Sequence, residues 1–415
     1  MDSTRISDQA LTELITGTSP VEFDFLAAKI LLTKLRHLAR FDSSPTTLAK
    51  SVTELRNLFN RFQQNAAVQS DLQKLTSSSG SPGSAEVLFS PEEVAAKIAQ
   101  GQILVLAGDH ALLRQIPPGN WIGGTIPYFM ATRGGVFTKE KLFVTELPSY
   151  ATSISIRTYT QDTISSVYKD APENGLSIII IPGSSQIHFS FALDAPSYDL
   201  FALRPLMGWI SGCDVADIGK VAPEVVSGKN RLPQRNAAVV MHLGLPADRQ
   251  ATINIVNIFR QGSGDSITFV EDGFSAVDAQ INGVRREFAE YLQEKKINTK
   301  LPLVANYSGA LINTSFQAID QAQKKVSFYA PVFRGTEYRV AAPIGDYVSA
   351  FNSNVPRTAA QRAAFSCNCI LNYLYSELEG KRTGSLMGPI TFGEIAYQLV
   401  NQTLAFATIQ STKEH

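Results

Sequence analysis

Strand follows strand through most of this sequence, and that order constrains the fold more than any other feature. Apolar stretches at 103–107, 153–159, 177–181, 237–243, 252–259, 266–270, 325–328, 337–341 and 403–407 read as strands. Helical patterns in the same region fall at 185–193, 277–293 and 369–379. Parallel neighbours need a crossover of about a dozen residues or more, usually a helix. Several of these strands have none between them, so the chain reads as α+β, an antiparallel-rich sheet body flanked by helices. The body opens on a helix start. Ser90 can cap, Pro91 suits the first helical position, and Glu93 completes a capping box before a stop at Gly101. No short-period repeat of the solenoid kind is visible.

Ahead of the body, Phe23, Leu26, Ala27, Ile30, Leu31, Leu35 and Leu38 make one apolar stripe at helical spacing. Leu48, Val52, Leu55, Phe59 and Phe62 make a second, after a break at Pro45. This predicts an N-terminal helical hairpin over 1–75, an appended arm or a homo-oligomer contact. Residues 76–86, rich in Ser and Gly, read as a flexible linker.

Lys+Arg and Asp+Glu are both 37, so no net basic footprint for nucleic acid exists. The N-terminus does not lead into an apolar signal core, and no apolar run approaches the ~20 residues that span a bilayer. With three cysteines in 415 residues, the expectation is a cytoplasmic protein with no membrane contact and no disulfide framework.

The five histidines are scattered, no HExxH occurs, and Cys367-Asn368-Cys369 lacks a second pair that would complete a zinc set. A cysteine nucleophile at Cys367 or Cys369 would need a lowered pKa and a base in reach. Gly119-Asn120-Trp121-Ile122-Gly123-Gly124 is not a phosphate loop, but it reads as a tight loop that could present Trp121 to a ligand. His110, His188 and His242 are the candidate axial ligands should haem be bound, although His242 sits in an apolar strand where a core histidine is the common outcome.

The C-terminal segment adds a pattern. Phe365-Ser366-Cys367-Asn368-Cys369 is followed by a helix, then Gly388-Pro389-Ile390-Thr391-Phe392-Gly393-Glu394-Ile395-Ala396, then Asn401-Gln402-Thr403. This order resembles the end of the FIST C-terminal domain. The resemblance covers roughly 145–410 and implies a two-part body, a FIST N-like α/β half over 87–245 and a FIST C-like α/β half over 246–415. It implies a sensory module that binds a small-molecule ligand and acts through a signalling partner protein; some members are similar to haem proteins that sense nitric oxide. Where many members continue with Gly-Arg-Gly after the cysteine, this chain has Asn368-Cys369-Ile370, so an anion contact from that Arg is absent.

The motif also has a physical reading of its own. Gly393 lets the backbone approach a ligand closely, Glu394 offers a carboxylate, and Asn401 and Gln402 each present a donor and an acceptor. With Phe392 they would form a small directional pocket. The expected ligand-binding set is Cys367, Asn368, Phe392, Gly393, Glu394, Asn401, Gln402 and Trp121. The expected function is a ligand-binding sensory protein rather than an enzyme. The alternatives are a haem-binding gas sensor and an enzyme with a cysteine nucleophile.

Overall fold

The computed structural model describes residues 86–307, 310–355 and 363–412. The predicted hairpin over 1–75 and nearly all of the predicted linker lie outside the described residues. Nearly all the described residues belong to one compact unit, Pro82–Asn306 with Leu311–Ser411.

The opening helix, Pro91–Ala99, is capped as its sequence predicts. The Ser90 hydroxyl accepts from the Glu93 amide at 3.3 Å, and the Glu93 carboxylate accepts from the Ser90 amide at 2.6 Å. It leads into the strand Ile103–Gly108, which is buried along its whole length. The body is mixed α and β, with strands in several sheets.

Three sheets share one plan. In each, a strand runs parallel to a second strand that follows it through a short helix. Ile103–Gly108 pairs Trp121–Thr125, Gly175–Pro182 pairs Leu206–Ser211, and Ala363–Cys369 pairs Gly388–Thr391. The first strand of each pair has an antiparallel neighbour on its outer side: Leu142–Leu147, Ala238–Gly244 and Leu404–Ser411 respectively. A further antiparallel strand lies outside that one: Leu88–Phe89, Ser153–Tyr159 or Arg249–Val256. The chain therefore contains three topological repeats, within 88–147, 153–244 and 249–411. The predicted division at 245/246 falls in the turn between the second and third.

The repeats are tied together by exchange. After its parallel pair, each repeat sends a strand into another repeat's sheet. Tyr128–Ala131 pairs with Gly388–Thr391, Val225–Ser227 with Trp121–Thr125, and Glu394–Ala396 with Leu206–Ser211. Each sheet is thus completed by a different repeat, and no repeat has a full sheet of its own. Backbone approach is close where these strands run. A Cβ on Gly208 would stand 1.7 Å from the Ile179 carbonyl oxygen.

The third repeat carries an insertion. Two more sheets, of six and three strands, are built from the residues between Val256 and Ala363. An apolar cluster joins the insertion to its host. Phe259, Val304 and Phe351 pack with Val256, Leu404 and Phe406.

Two local expectations change. The predicted helix over 277–293 is a hairpin, Asp278–Ile281 with Val284–Glu287, followed by the short helix Phe288–Glu294. Asn282 and Gly283 take φ of 50° and 83°, the left-handed pair that a tight two-residue hairpin needs. The predicted loop over 119–129 is largely strand, Trp121–Thr125 and Tyr128–Ala131, buried throughout. Its Gly-rich sequence reflects crowded strands and not an open loop.

Candidate functional site

The end of the third repeat folds its polar residues inward. Cys367, Asn368 and Cys369 occupy the last positions of Ala363–Cys369, all buried, and the helix Ile370–Tyr375 starts at once. Asn372 lies four residues beyond Asn368, one helical turn on. Its side-chain nitrogen donates to the Asn368 side-chain oxygen at 2.8 Å and to the Thr403 carbonyl at 3.1 Å. Thr403 in turn donates to Glu394, from its hydroxyl at 2.7 Å and its amide at 3.3 Å, both to Oε2. The hairpin Glu394–Ala396 with Gln398–Val400 brings these two together.

The insertion supplies the other side. Asn313 donates to the carbonyls of Asn401 and Gln402, each at 3.2 Å, and the Ser315 hydroxyl meets the Gln402 side-chain oxygen at 2.5 Å and that of Asn401 at 3.2 Å. Gln402 donates to the Lys300 carbonyl at 3.1 Å. The Tyr347 hydroxyl, from the first turn of Tyr347–Asn354, donates to the Asn372 side-chain oxygen.

Glu394 is wholly buried, and burial pushes its carboxyl up to about 8 against the hydrogen bonds from Thr403 and Cys369. Burial, reinforced by Glu394, holds the Cys367 and Cys369 thiols well above the usual range. Cys367 donates its proton to the Gly208 carbonyl at 3.3 Å. Thiols held protonated in this way are poor nucleophiles. Three polar atoms of the buried cluster have no hydrogen-bond partner: Glu394 Oε1, Asn368 Nδ2 and Asn401 Nδ2. Such atoms are few in folded proteins, and each carries a desolvation penalty of roughly 1–3 kcal/mol.

A cleft of about 400 Å³ opens against this cluster, between insertion and repeat. Gln402 and Tyr347 line it from the cluster side. Lys300, Lys381 and Tyr375 stand along it, with the Lys300 ammonium 5.7 Å from the centre of the Tyr375 ring.

Of the predicted ligand set, the structure brings Cys367, Asn368, Glu394, Asn401 and Gln402 into one region. Phe392 and Gly393 sit instead on the crossing to the second sheet, where Gly393 accepts from the Ile210 amide at 2.8 Å and Phe392 packs over Gly212. Trp121 is in the apolar core of the first repeat with Leu104 and Leu113, its indole donating to the Pro117 carbonyl at 2.7 Å. Thr403 and Asn372 join the cluster from outside the predicted set, although Thr403 directly follows Asn401-Gln402 and Asn372 has helical spacing from Asn368. Tyr347, Ser315 and Lys300 give no local signal, since only folding of the insertion carries them here.

The three histidines lie on separate elements. His110 is half-exposed beside Asp109 at 3.2 Å. His242 has both ring nitrogens engaged, by Ser177 at 2.8 Å and Tyr159 at 2.9 Å, so neither is open to iron. His188 accepts from the Ser184 amide at 3.2 Å and packs on Phe189 and Phe274, which leaves Nε2 buried and unpartnered. Burial draws both His188 and His242 down to about 4. Among the described residues no group of three or more His, Cys, Asp or Glu is arranged to hold a metal ion, and no helix is long and apolar enough to cross a membrane.

Residues 89–410 match the model of a family of unknown function, DUF6976. The chain belongs to this family. Its match spans all three repeats and the insertion, so the strand exchange and the cleft both lie within the family's extent. No curated protein and no solved structure gives a significant match to the chain.

Proposed function

We propose that this DUF6976 protein binds a small molecule in the cleft between the insertion and the third repeat. In this reading it is a cytoplasmic sensory module of the FIST type, in two parts, that signals through a partner protein. One observation carries it. The cleft residues Gln402 and Tyr347 are hydrogen-bonded into a buried cluster that holds three unpartnered polar atoms. A concave site with apolar walls and a few convergent polar groups is the usual form of a ligand pocket. Loops of the insertion with the start of Tyr347–Asn354, and the host repeat, form its two sides, so occupancy would bear on how the two are held, as a sensor requires.

The test is a small-molecule library read by ligand-observed NMR against the wild type and Gly345→Trp. Gly345 lines the cleft, and nothing lies within 4 Å of where its Cβ would stand. An indole there fills the cleft without disturbing the core. Ligands that bind the wild type and lose binding to Gly345→Trp support the reading. A library with no hit, or with hits that the tryptophan leaves unchanged, refutes it.

A further inference from the structure

Glu224 is 3% exposed and precedes Val225–Ser227, the strand that the second repeat gives to the first repeat's sheet. Its backbone is fixed by Thr125. The Glu224 amide donates to the Thr125 hydroxyl at 2.9 Å, and the Glu224 carbonyl accepts from the Thr125 amide at 2.9 Å. A buried carboxylate calls for one cation to pair with. This one has two. Arg235 donates to Oε1 from Nε at 3.0 Å and from Nη2 at 2.7 Å. Arg114, from the first repeat, reaches Oε1 at 3.3 Å and Oε2 at 3.2 Å. Both guanidiniums stay more than half exposed.

Two further cations are held by neutral groups. Arg231 donates to the Arg114 carbonyl at 2.9 Å, and Lys229 donates to the Asn120 side-chain oxygen at 3.3 Å. Neither has an ion-pair partner among the described residues. Other acids of the flanking segments are already engaged. Asp109 accepts from the Ala111 amide and pairs with His110, while Asp214 and Asp217 share Lys139. Four cations over one buried acid leave a local positive excess, on a chain whose formal net charge is zero.

The loop that carries three of these cations is pinned. Gln234 exchanges backbone hydrogen bonds with Val225 at 2.8 and 2.9 Å, and the Arg231 amide closes a turn on the Ser227 carbonyl at 2.8 Å. The Leu232 amide donates to the Asn230 side-chain oxygen at 3.2 Å. Leu232 itself, between Arg231 and Arg235 in sequence, is 60% exposed. A guanidinium presents a planar fork that fits carboxylates two bonds at a time, and arginine is enriched among the side chains that dominate protein interfaces. Residues 214–236 contain no aromatic side chain on which a base could stack. Arginines around an exposed leucine suit an acidic protein segment better than a nucleic acid.

We propose that Arg114, Lys229, Arg231, Leu232 and Arg235 form a docking surface for an acidic segment of a partner protein. The partner's carboxylates pair with the four cations, and an apolar side chain beside them covers Leu232. The surface rests on the proposed sensory reading only in giving its partner a place to bind, and it shares no residue with the cleft. It depends on the strand exchange, since Arg114 comes from the first repeat and the loop from the second.

Selection of displayed short peptides on the full chain tests this, from one library rich in Asp, Glu and apolar residues and a matched library with Asn and Gln in place of the acids. Enriched sequences are resynthesised and titrated by fluorescence anisotropy. The expected result is enrichment of acidic sequences that carry a large apolar residue, and none from the amide library. Binding should weaken about tenfold or more in Arg231→Glu and at high salt, and several-fold in Leu232→Ser. It should be unchanged in Lys325→Glu, the same charge change at an exposed lysine of the insertion. Arg231 and Leu232 take no part in the Glu224 ion pairs, so both variants should unfold at the wild-type temperature. Failure to enrich acidic sequences, or peptides that bind Arg231→Glu as tightly as the wild type, would overturn the proposal. Equal loss in Lys325→Glu would show attraction to overall charge and no site. A thymidine oligonucleotide or phosphatidylserine vesicles bound through Arg231 while acidic peptides stay silent would overturn the partner class. Small molecules blocked by Gly345→Trp should bind Arg231→Glu as they bind the wild type. If they do and no acidic peptide is selected, the docking surface fails and the cleft reading stands. If acidic peptides are selected and no small molecule is blocked, the cleft reading fails and the docking surface stands.

Discussion

The hydroxyl of Thr403 stands 2.7 Å from Oε2 of Glu394, its amide 3.3 Å from the same oxygen, while the carbonyl of Thr403 holds Asn372. One residue thus anchors both the buried acid and the amide that Tyr347 reaches from the cleft. Thr403→Val keeps the shape and removes the hydroxyl. Urea unfolding should show a loss of about 1–3 kcal/mol, the usual cost of stranding a buried polar partner. A loss within error would mean that the hydroxyl adds nothing to the cluster.

The raised carboxyl of Glu394 sets a pH dependence with a definite sign. Its ordinary value is 4.5 and its folded value about 8, so between these the folded protein keeps a proton that the unfolded chain has released. Stability falls as pH rises through that window and levels off above 8. His188 and His242 act oppositely, since their folded values near 4 against 6.5 make stability rise from pH 4 to 6.5. Among these three groups only Glu394 acts between pH 6.5 and 8. The wild type should lose on the order of 2 kcal/mol over that interval relative to Glu394→Gln, at about 1.4 kcal/mol per pH unit. Parallel stability curves for the two proteins would show that Glu394 is ionised in the fold at neutral pH.

His242 is a structural residue in a buried chain. Tyr159 donates to Asp170 at 2.9 Å, so its oxygen accepts from His242 Nε2 and the imidazole's Nδ1 accepts from Ser177. His242→Phe leaves the Ser177 hydroxyl, 1% exposed, without a partner. Thermal unfolding should register a loss of about 1–3 kcal/mol, and NMR of the wild-type ring should show the Nε2–H tautomer. The opposite tautomer would refute the assigned direction of the chain.

All three thiols are buried, and burial raises each of them. A disulfide reagent such as DTNB at pH 8 should react with the native protein slowly and stoichiometrically only on unfolding. Rapid reaction of Cys367 or Cys369 in the native state would revive the cysteine nucleophile and count against the cluster as drawn.

Much of the local structure is written in short-range pattern. The capping box at Ser90 and Glu93, the strands near 103–107, 153–159, 177–181 and 237–243, and the helix after Ser185 appear within a residue or two of expectation. The failures have causes. The apolar spacing over 277–293 mimics a helix, but Asn282-Gly283 in its middle is a hairpin turn, and turn chemistry overrides periodicity. The glycines of Trp121–Thr125 imitate a loop, when they are there for close strand packing. Within the candidate site, Glu394, Asn401 and Gln402 stand out because uncharged or acidic polar residues break an apolar run. Tyr347, Ser315 and Lys300 do not stand out, since polar residues are ordinary where they occur.

The sequence by itself determined the element types, the α+β class and a concentration of inward polar residues near the C-terminus, because caps, turns and burial patterns act over a few residues. The tertiary structure decided which strands pair. Fully buried strands such as Gly175–Pro182 and Ala238–Gly244 show no alternation and so no sign of which neighbour they will take. The threefold exchange of strands follows from that pairing, and so does the joint between insertion and third repeat. Only there do Glu394, Thr403 and Asn372 meet Tyr347 and Ser315, because hydrogen bonds between segments tens of residues apart depend on the assembled sheets.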